Sequence, residues 1–201
     1  MARDSTPASP LGPFGAPDPL ETERLLLRPL TSADVPAVFA YASRPGFFLY
    51  LDHVPLAERQ SYQPEHAASH VAALQELAAR GWPQWGLIPR QAGPRGQPIG
   101  AIRFHPAHDG GSDPELGYGL HPAWWGEGLA TEAAGAVLAW TQRTHPEVRR
   151  VVARCHPANA ASRAVLLKAG FLPAQTDPRG RLAFCWTAPN LNPAATSPAS
   201  T

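Results

Sequence analysis

Lysine and net charge are both scarce in this sequence of 201 residues. Lysine and arginine together number 17, and Lys168 is the only lysine. A Walker-type nucleotide loop requires G-x-x-x-x-G-K-[ST], and Lys168 stands in no such pattern, so that class of site is excluded. The 17 basic residues are balanced by 16 acidic ones, a formal net charge of +1. Because nucleic-acid-binding proteins usually carry a strongly basic face, we expect no nucleic-acid partner.

Cysteine is also rare, with Cys155 and Cys185 thirty positions apart. Two cysteines at this spacing do not form the disulfide framework of a small secreted protein. The simplest interpretation is that both are small apolar residues of strands. A catalytic thiol at Cys155 beside His156 is the alternative. Adjacent residues of a strand point to opposite faces, however, so the two would make a poor nucleophile–base pair.

No run approaches the roughly 18 apolar residues that a membrane helix needs, and the N-terminus has no stretch resembling a signal peptide. We therefore expect a cytoplasmic protein without a membrane partner. The length fits one domain, and 44% apolar residues suffice for a core. Proline and small residues dominate 1–20 and 189–201. These segments are predicted to be an N-terminal extension and a flexible tail around a single domain at 21–188.

Strand-like and helix-like segments alternate in the predicted domain in the order β-α-α-β-β-β-α-β-α-β-β, which is typical of a mixed α/β fold. The predicted helices run from about 32 to 43, 64 to 80, 128 to 144 and 159 to 168. The predicted strands are Arg24–Leu30, Gln84–Pro89, Pro98–His105, Glu115–Leu120, Val148–Cys155, Leu172–Thr176 and Leu182–Thr187.

The loop Trp125–Glu132 (WGEGLATE) follows a predicted strand and opens a predicted helix. Its small residues let several backbone N–H groups converge on an anion at the positive end of the helix, which favours a phosphate or pyrophosphate ligand. A dinucleotide fingerprint is not met, because Thr131 stands where the third glycine belongs and Glu147 precedes the next strand. A plain tight turn before a helix is the alternative on the loop alone.

A second constellation lies at His156–Phe171 (HPANAASRAVLLKAGF). Asn159 is a good N-cap with Ser162 on the same helix face, Lys168 suits the last turn, and Gly170 suits the left-handed position that ends a helix. Each of these residues also has a purely structural capping role.

Taken together, the two segments closely resemble the GNAT superfamily of N-acetyltransferases, in the RimJ/RimL ribosomal-protein-acetyltransferase-like branch. The motifs that carry the likeness are ELGYGL from Glu115, His121-Pro, WGEGLATE from Trp125, and Asn159-x-x-Ser162 leading to Gly170-Phe171. The resemblance runs from Glu21 to about Thr187. It implies the GNAT fold, an α/β (α+β) domain with about four helices. Its sheet is mixed and mostly antiparallel, with six to seven strands and a splayed parallel pair.

The resemblance also implies an acetyl-CoA site and no metal. The pantetheine arm would enter the gap between the two splayed strands and pair with free backbone groups there, as an added strand does. An amide near Leu120 would polarise the thioester carbonyl, and Asn159 would contact the pantetheine. The residues expected to hold the pyrophosphate are Trp125, Gly126, Glu127, Gly128, Leu129, Ala130 and Thr131.

Acetyl transfer needs a neutral amine, and a positioned carboxylate can take its proton directly or through water. Glu115 is the predicted base, with a solvated acid at a strand start as the alternative. Many relatives have a tyrosine general acid at the position of Leu166, and this chain lacks that tyrosine. Ser162 or water is therefore expected to protonate the leaving thiolate. His105 and His108 are candidates for a base or a metal-binding pair, but two histidines in a turn without further ligands are weak evidence for either. Glu132 fits compensation of the helix dipole.

The acceptor is expected to be a primary amine, either a protein N-terminus or a small molecule. Phe47, Phe48, Tyr50 and Trp85 are predicted to line its cleft, with ordinary aromatic packing as the alternative, and Asp52 is a candidate partner for a cationic acceptor. A non-catalytic acyl-CoA-binding sensor or regulatory module of the same fold is the alternative function. A monomer and a homodimer are both compatible with the sequence.

Overall fold

A computed structural model describes residues 12–51, 56–93, 96–108, 110–177 and 179–189. These residues form one eight-stranded sheet in the order β1-β2-β3-β4-β5-β6-β8-β7. The strands are β1 (Leu20–Glu21), β2 (Leu25–Arg28), β3 (Gln84–Pro89), β4 (Gly100–His105), β5 (Glu115–Leu120), β6 (Arg150–Cys155), β7 (Leu172–Pro173) and β8 (Leu182–Thr187). The helices are α1 (Val35–Ala42), α2 (Leu56–Gln60), α3 (Pro64–Ala79), α4 (Leu129–Thr144) and α5 (Ala160–Lys168). None of the described helices is both long and apolar enough to cross a membrane.

The sheet is antiparallel except where β5 runs parallel to β6. This mixed topology confirms the predicted fold class. The sheet has eight strands rather than six or seven because the two-residue strand β1 is too short to produce a periodic pattern, while β7 is a shorter form of the predicted strand Leu172–Thr176. The predicted bounds of β3, β5 and β8 are confirmed, because each runs between turn residues that interrupt the apolar pattern.

Buried side chains form a cluster on each face of the sheet. One cluster joins the sheet to α4 and α5 and includes Trp85, Phe104 and Trp140. The other joins the sheet to α1 and α3 and includes Tyr41, Val71 and Ala101. Successive residues of a strand therefore point to opposite faces of the sheet, and the face decides which side chains reach the gap between β5 and β6.

The described part of the predicted N-terminal extension, residues 12–20, packs against the domain. Phe14 is buried, and its ring stacks on Phe104 with centroids 4.5 Å apart. The backbone N–H of Gly12 donates to the carbonyl of Arg80 at 2.7 Å. Residues 12–20 therefore contribute to the core. Residues 1–11 and 190–201 of the predicted tails lie outside the described residues.

Candidate active site

The parallel strands β5 and β6 separate soon after they begin. Their register is a single pair, Glu115 with Val152. The N–H of His121 donates to Ile99 on the β4 side. Since backbone groups of a strand alternate in direction, those of Tyr118 and Leu120 point the other way, towards β6. A gap therefore lies beside the second half of β5, edged by backbone groups that can pair with an inserted extended chain.

The glycine loop closes one end of this gap and begins α4. Gly126 and Gly128 have φ angles of 84° and 77°, which a residue with a side chain adopts only with strain, and Gly128 is the N-cap of α4. Within the described chain, the N–H groups of residues 126–131 make no hydrogen bonds. The positive end of the α4 dipole adds to the attraction that these N–H groups exert on an anion. The loop thus presents a row of free donors that fits a pyrophosphate.

A salt bridge fixes the loop to the edge of the sheet. The Arg24 guanidinium lies 2.6 Å from the Glu132 carboxylate and donates to the carbonyl of Glu127 at 2.8 Å. Partial burial raises the pKa of Glu132, but hydrogen bonds from Thr22 and Arg24 outweigh it and hold that pKa below its ordinary value. Glu132 therefore anchors the start of α4, in addition to its expected effect on the helix dipole.

Trp125 lies half-exposed beside the loop, and its indole N–H donates to the carbonyl of Leu120 at 2.9 Å. This bond occupies the Leu120 carbonyl and leaves the Leu120 N–H on the side that faces the gap. Trp125 and Leu120, which sequence reasoning selected separately, thus belong to one structural unit.

A pair of hydroxyl groups lies at the gap, one from α5 and one from β5. The Asn159 side chain accepts the N–H of Ser162 at 3.0 Å, so Asn159 is a true N-cap of α5. The Ser162 hydroxyl lies 2.8 Å from the hydroxyl of Tyr118 on β5. Burial raises the pKa of Tyr118, a hydrogen bond from Ser162 opposing it, so this hydroxyl keeps its proton at neutral pH.

Sequence reasoning missed Tyr118, although a signal was present. Leu116 and Leu120 of the same strand are buried against the α4 and α5 side, and alternation places Tyr118 on that face as well. Cys155 lies nearby, and burial raises the pKa of its thiol. This environment favours the neutral thiol, in agreement with the interpretation of Cys155 as a small strand residue.

Glu115 lies on the opposite face of β5 and is only 3% exposed. Its carboxylate accepts a hydrogen bond from the Arg154 guanidinium at 2.5 Å and another from the backbone N–H of His108 at 3.1 Å. The alternative of a solvated acid at a strand start is therefore wrong. Arg154 also lies 3.6 Å from Asp177, which completes a buried charge cluster under the cleft.

His105 and His108 approach Glu115, with one ligand atom of each within 4.8 Å of the others. A divalent cation there would lie against the Arg154 guanidinium, which already occupies the carboxylate, so the charge arrangement suits proton transfer better than metal binding. His105 Nδ1 bonds to the Pro106 carbonyl at 2.9 Å and must donate there. A Cβ added to Gly117 would lie 3.2 Å from His105 Nε2.

Comparisons with known proteins decide the family. Residues 24–172 match the family model described as "Acetyltransferase (GNAT) domain". The chain belongs to the GNAT acetyltransferase family. An uncharacterized N-acetyltransferase of Bacillus subtilis, YoaA, is 30% identical over 152 residues, which cover 76% of this chain and 81% of that protein. The fold class and the enzyme class that the sequence predicted are thereby confirmed.

Solved structures share the fold of this acetyltransferase. The RimL ribosomal L7/L12 α-N-protein acetyltransferase, solved in complex with coenzyme A, has a TM-score of 0.70 at 19% identity, covering 85% of this chain and 98% of that chain. Mycobacterium smegmatis RimJ, in complex with a CoA-disulfide, has a TM-score of 0.69 at 21% identity, covering 86% and 88%. The structural neighbours thus include the two proteins that give the predicted branch its name.

The acetyltransferase has a cleft of about 480 Å³ beside the gap, with Glu115, Tyr118, Asn159 and Ser162 in its lining. The predicted acceptor residues Phe47, Phe48 and Tyr50 line it as well. The Phe47 ring covers β5, since a Cβ added to Gly119 would lie 3.2 Å from it. Asp52 lies outside the described residues.

Trp85 does not line the cleft, so this part of the prediction is wrong. It is fully buried in the core, edge-on to Trp140 with centroids 5.1 Å apart. Its indole N–H donates to the Asp18 carbonyl at 2.9 Å. The fully buried strand β3 gives no alternation from which the direction of the ring could be predicted.

Proposed function

We propose that this GNAT enzyme transfers the acetyl group of acetyl-CoA to a primary amine by direct attack in a ternary complex. The observation that carries the proposal is the position of the gap between β5 and β6. On one face lies the hydroxyl pair of Tyr118 and Ser162, and on the other lies Glu115. A thioester in the gap would have a proton donor on one side and a proton acceptor on the other.

For acetyl-CoA, we assign the pyrophosphate to the backbone N–H groups of residues 126–131, with Trp125 beside them. Their lack of partners in the described chain supports this assignment. The pantetheine would extend along β5 past Asn159, pairing with backbone groups of Tyr118 and Leu120. The Leu120 N–H is the proposed donor to the thioester carbonyl oxygen, where negative charge develops.

In the proposed reaction the amine nitrogen attacks the thioester carbon, the new N–C bond forms and the C–S bond breaks. We assign the amine proton to Glu115, directly or through water, with His105 beside it at the cleft surface. Ser162, hydrogen-bonded to Tyr118, would supply a proton to the departing thiolate and regain one from water, and Glu115 would release the amine proton to solvent. The raised pKa of Tyr118 supports this role because it keeps a proton available in the pair.

A calorimetric titration with acetyl-CoA, with ATP and NAD as controls, tests the binding half of the proposal. We expect micromolar binding of acetyl-CoA alone. Amine-dependent release of the CoA thiol tests the chemical half. Acetyl-CoA binding without thiol release over a broad amine panel would favour the alternative of a non-catalytic acyl-CoA-binding module. Absence of acetyl-CoA binding would contradict both.

A further inference from the structure

Arg103 lies on the floor of the cleft and plays no part in the proposed reaction. It is on β4, opposite Gly117 in the register with β5. Residues of this face of β4 point towards α1 and α3, as buried Ala101 does. Arg103 and Glu115 both line the cleft. The Arg103 side chain therefore points into the side from which an acceptor would approach.

The Arg103 guanidinium makes no hydrogen bond or ion pair with any residue that the structure describes. Its neighbours do not compensate its charge fully. Glu115 attracts it at longer range, but the Glu115 carboxylate is hydrogen-bonded to Arg154 instead. Burial lowers the pKa of Arg103 and outweighs the opposing attraction of the Glu115 carboxylate. Burial likewise raises the pKa of Tyr41, whose hydroxyl is therefore neutral at physiological pH.

The charged side chains that line the cleft also favour an anionic group on the acceptor. Among the described lining residues, Arg103, Arg154 and Arg181 are cationic, whereas Glu115 is the one carboxylate. A cationic group would be repelled by the Arg103 guanidinium, and an anionic group would be attracted to it.

We propose that the acceptor carries a carboxylate as well as its amine, and that Arg103 binds this carboxylate. The guanidinium offers a planar fork of donors that matches a carboxylate in a bidentate arrangement. Arg103 lies across from Gly117, where the gap begins, and lines the same cleft as Glu115, the proposed acceptor of the amine proton. A free α-amino acid, whose two groups share one carbon, could direct its amine to Glu115 while its carboxylate binds Arg103. Phe47, Phe48 and Tyr50 provide an apolar wall for its side chain.

This inference rests on the proposed acetyl transfer and narrows its acceptor. It disfavours the N-terminus of a protein, because the first residue of a peptide has an amide where the free amino acid has a carboxylate. Arg103 is then a specificity-determining residue, and its loss is expected to raise KM for carboxylate-bearing amines more than it lowers kcat.

The test compares the twenty common L-amino acids with their primary amides, at equal concentrations of neutral amine, by mass spectrometry of the acetylated products. For the best acceptor we expect kcat/KM to be roughly tenfold or more above that of its amide. Arg103→Gln should abolish this preference, chiefly by raising KM for the free amino acid towards the KM for its amide. Arg103→Lys, which keeps the charge and loses the fork, should retain part of the preference. Arg143→Gln, an exposed arginine of α4, is the matched control.

Amides or short peptides acetylated as fast as the free amino acids would overturn the inference, as would a preference that survives in Arg103→Gln. Thermal melting of each variant separates misfolding from loss of binding. A titration of each variant with acetyl-CoA keeps the two proposals distinguishable. Normal acetyl-CoA binding with turnover of the amides alone would refute the role of Arg103 and leave acetyl transfer standing. Binding of acetyl-CoA without acetylation of either set would count against both.

Discussion

The hydroxyls of Tyr118 and Ser162 lie 2.8 Å apart and join β5 to α5 at the gap between β5 and β6. The family resemblance implies a tyrosine general acid on the last helix, at the position of Leu166. Leu166 is buried in the core and offers no proton. Tyr118 brings a phenolic hydroxyl to the gap from the neighbouring strand, next to the serine that sequence reasoning had selected.

The first prediction concerns this hydroxyl pair. Tyr118→Phe and Ser162→Ala should each lower kcat, roughly tenfold to a hundredfold, because protonation of the thiolate loses its donor. The double variant should be little worse than either single variant, since both hydroxyls serve one proton transfer. Steady-state kinetics check this, with acetyl-CoA affinity from calorimetry as the control. Effects that multiply in the double variant would contradict a shared role.

The second prediction concerns the glycine loop. Gly128→Val should abolish measurable acetyl-CoA binding, because Gly128 has a φ of 77° and valine would distort the row of N–H donors. Gly135→Ala is the matched control, since a Cβ there meets nothing within 4 Å. This control should bind normally and be more stable by about 0.5–1 kcal/mol, as expected for an exposed helix position. Tight binding by Gly128→Val, measured by calorimetry, would refute the role assigned to the loop.

A third prediction concerns Glu115. Replacement by glutamine keeps the shape and removes the proton acceptor, so kcat should fall by roughly a hundredfold while the acetyl-CoA affinity changes little. Glu147→Gln, an exposed substitution near the end of α4, serves as the control. If Glu115→Gln remained as fast as the unaltered enzyme on several amines, the base would have to be sought elsewhere, first at His105.

The fourth prediction concerns stability in acid. Arg28 makes two hydrogen bonds of 2.8 Å to the buried carboxylate of Asp34 before α1. Burial raises the pKa of Asp34, but Arg28 and Thr31 outweigh it and lower the net value. A lowered pKa in the folded state gives stability that is present above the unfolded value near 4 and is lost as pH falls further.

Asp34→Asn should therefore destabilise the protein at neutral pH, by about 1–3 kcal/mol, and flatten the acid limb of its stability profile. Urea unfolding at several pH values between about 2 and 7 measures both effects. Glu76→Gln on the exposed face of α3 is the control and should leave the profile unchanged. An acid limb equally steep in Asp34→Asn would show that this pair does not contribute to it.

The sequence predicted those features that local chemistry determines. The glycine loop, the N-cap at Asn159 and the bounds of β5 follow from turn and capping preferences that need no tertiary information. Features that depend on distant contacts were not predicted. The burial of Phe14 requires the partner ring of Phe104, ninety residues away, and a segment rich in proline gives no periodic signal of its own.

The same distinction between local chemistry and distant contacts applies to the side chains of the site. Glu115 was selected from its position on a strand, but its pairing with Arg154 depends on the short contact between β5 and β6. Arg103 belongs to no motif, and the ELGYGL motif that contains Tyr118 does not itself mark its hydroxyl as functional. The importance of both residues follows from the face of the sheet on which they lie. The prediction for Trp85 was wrong because neither the composition of β3 nor the residues next to Trp85 reveal towards which face its ring points.

The most direct test of the account is to measure release of the CoA thiol from acetyl-CoA, with and without amines, while following the acetylated product by mass spectrometry. The account predicts release that depends on both enzyme and amine, with one N-acetyl product formed for each thiol. Micromolar binding of acetyl-CoA with no amine-dependent release from any acceptor would contradict it.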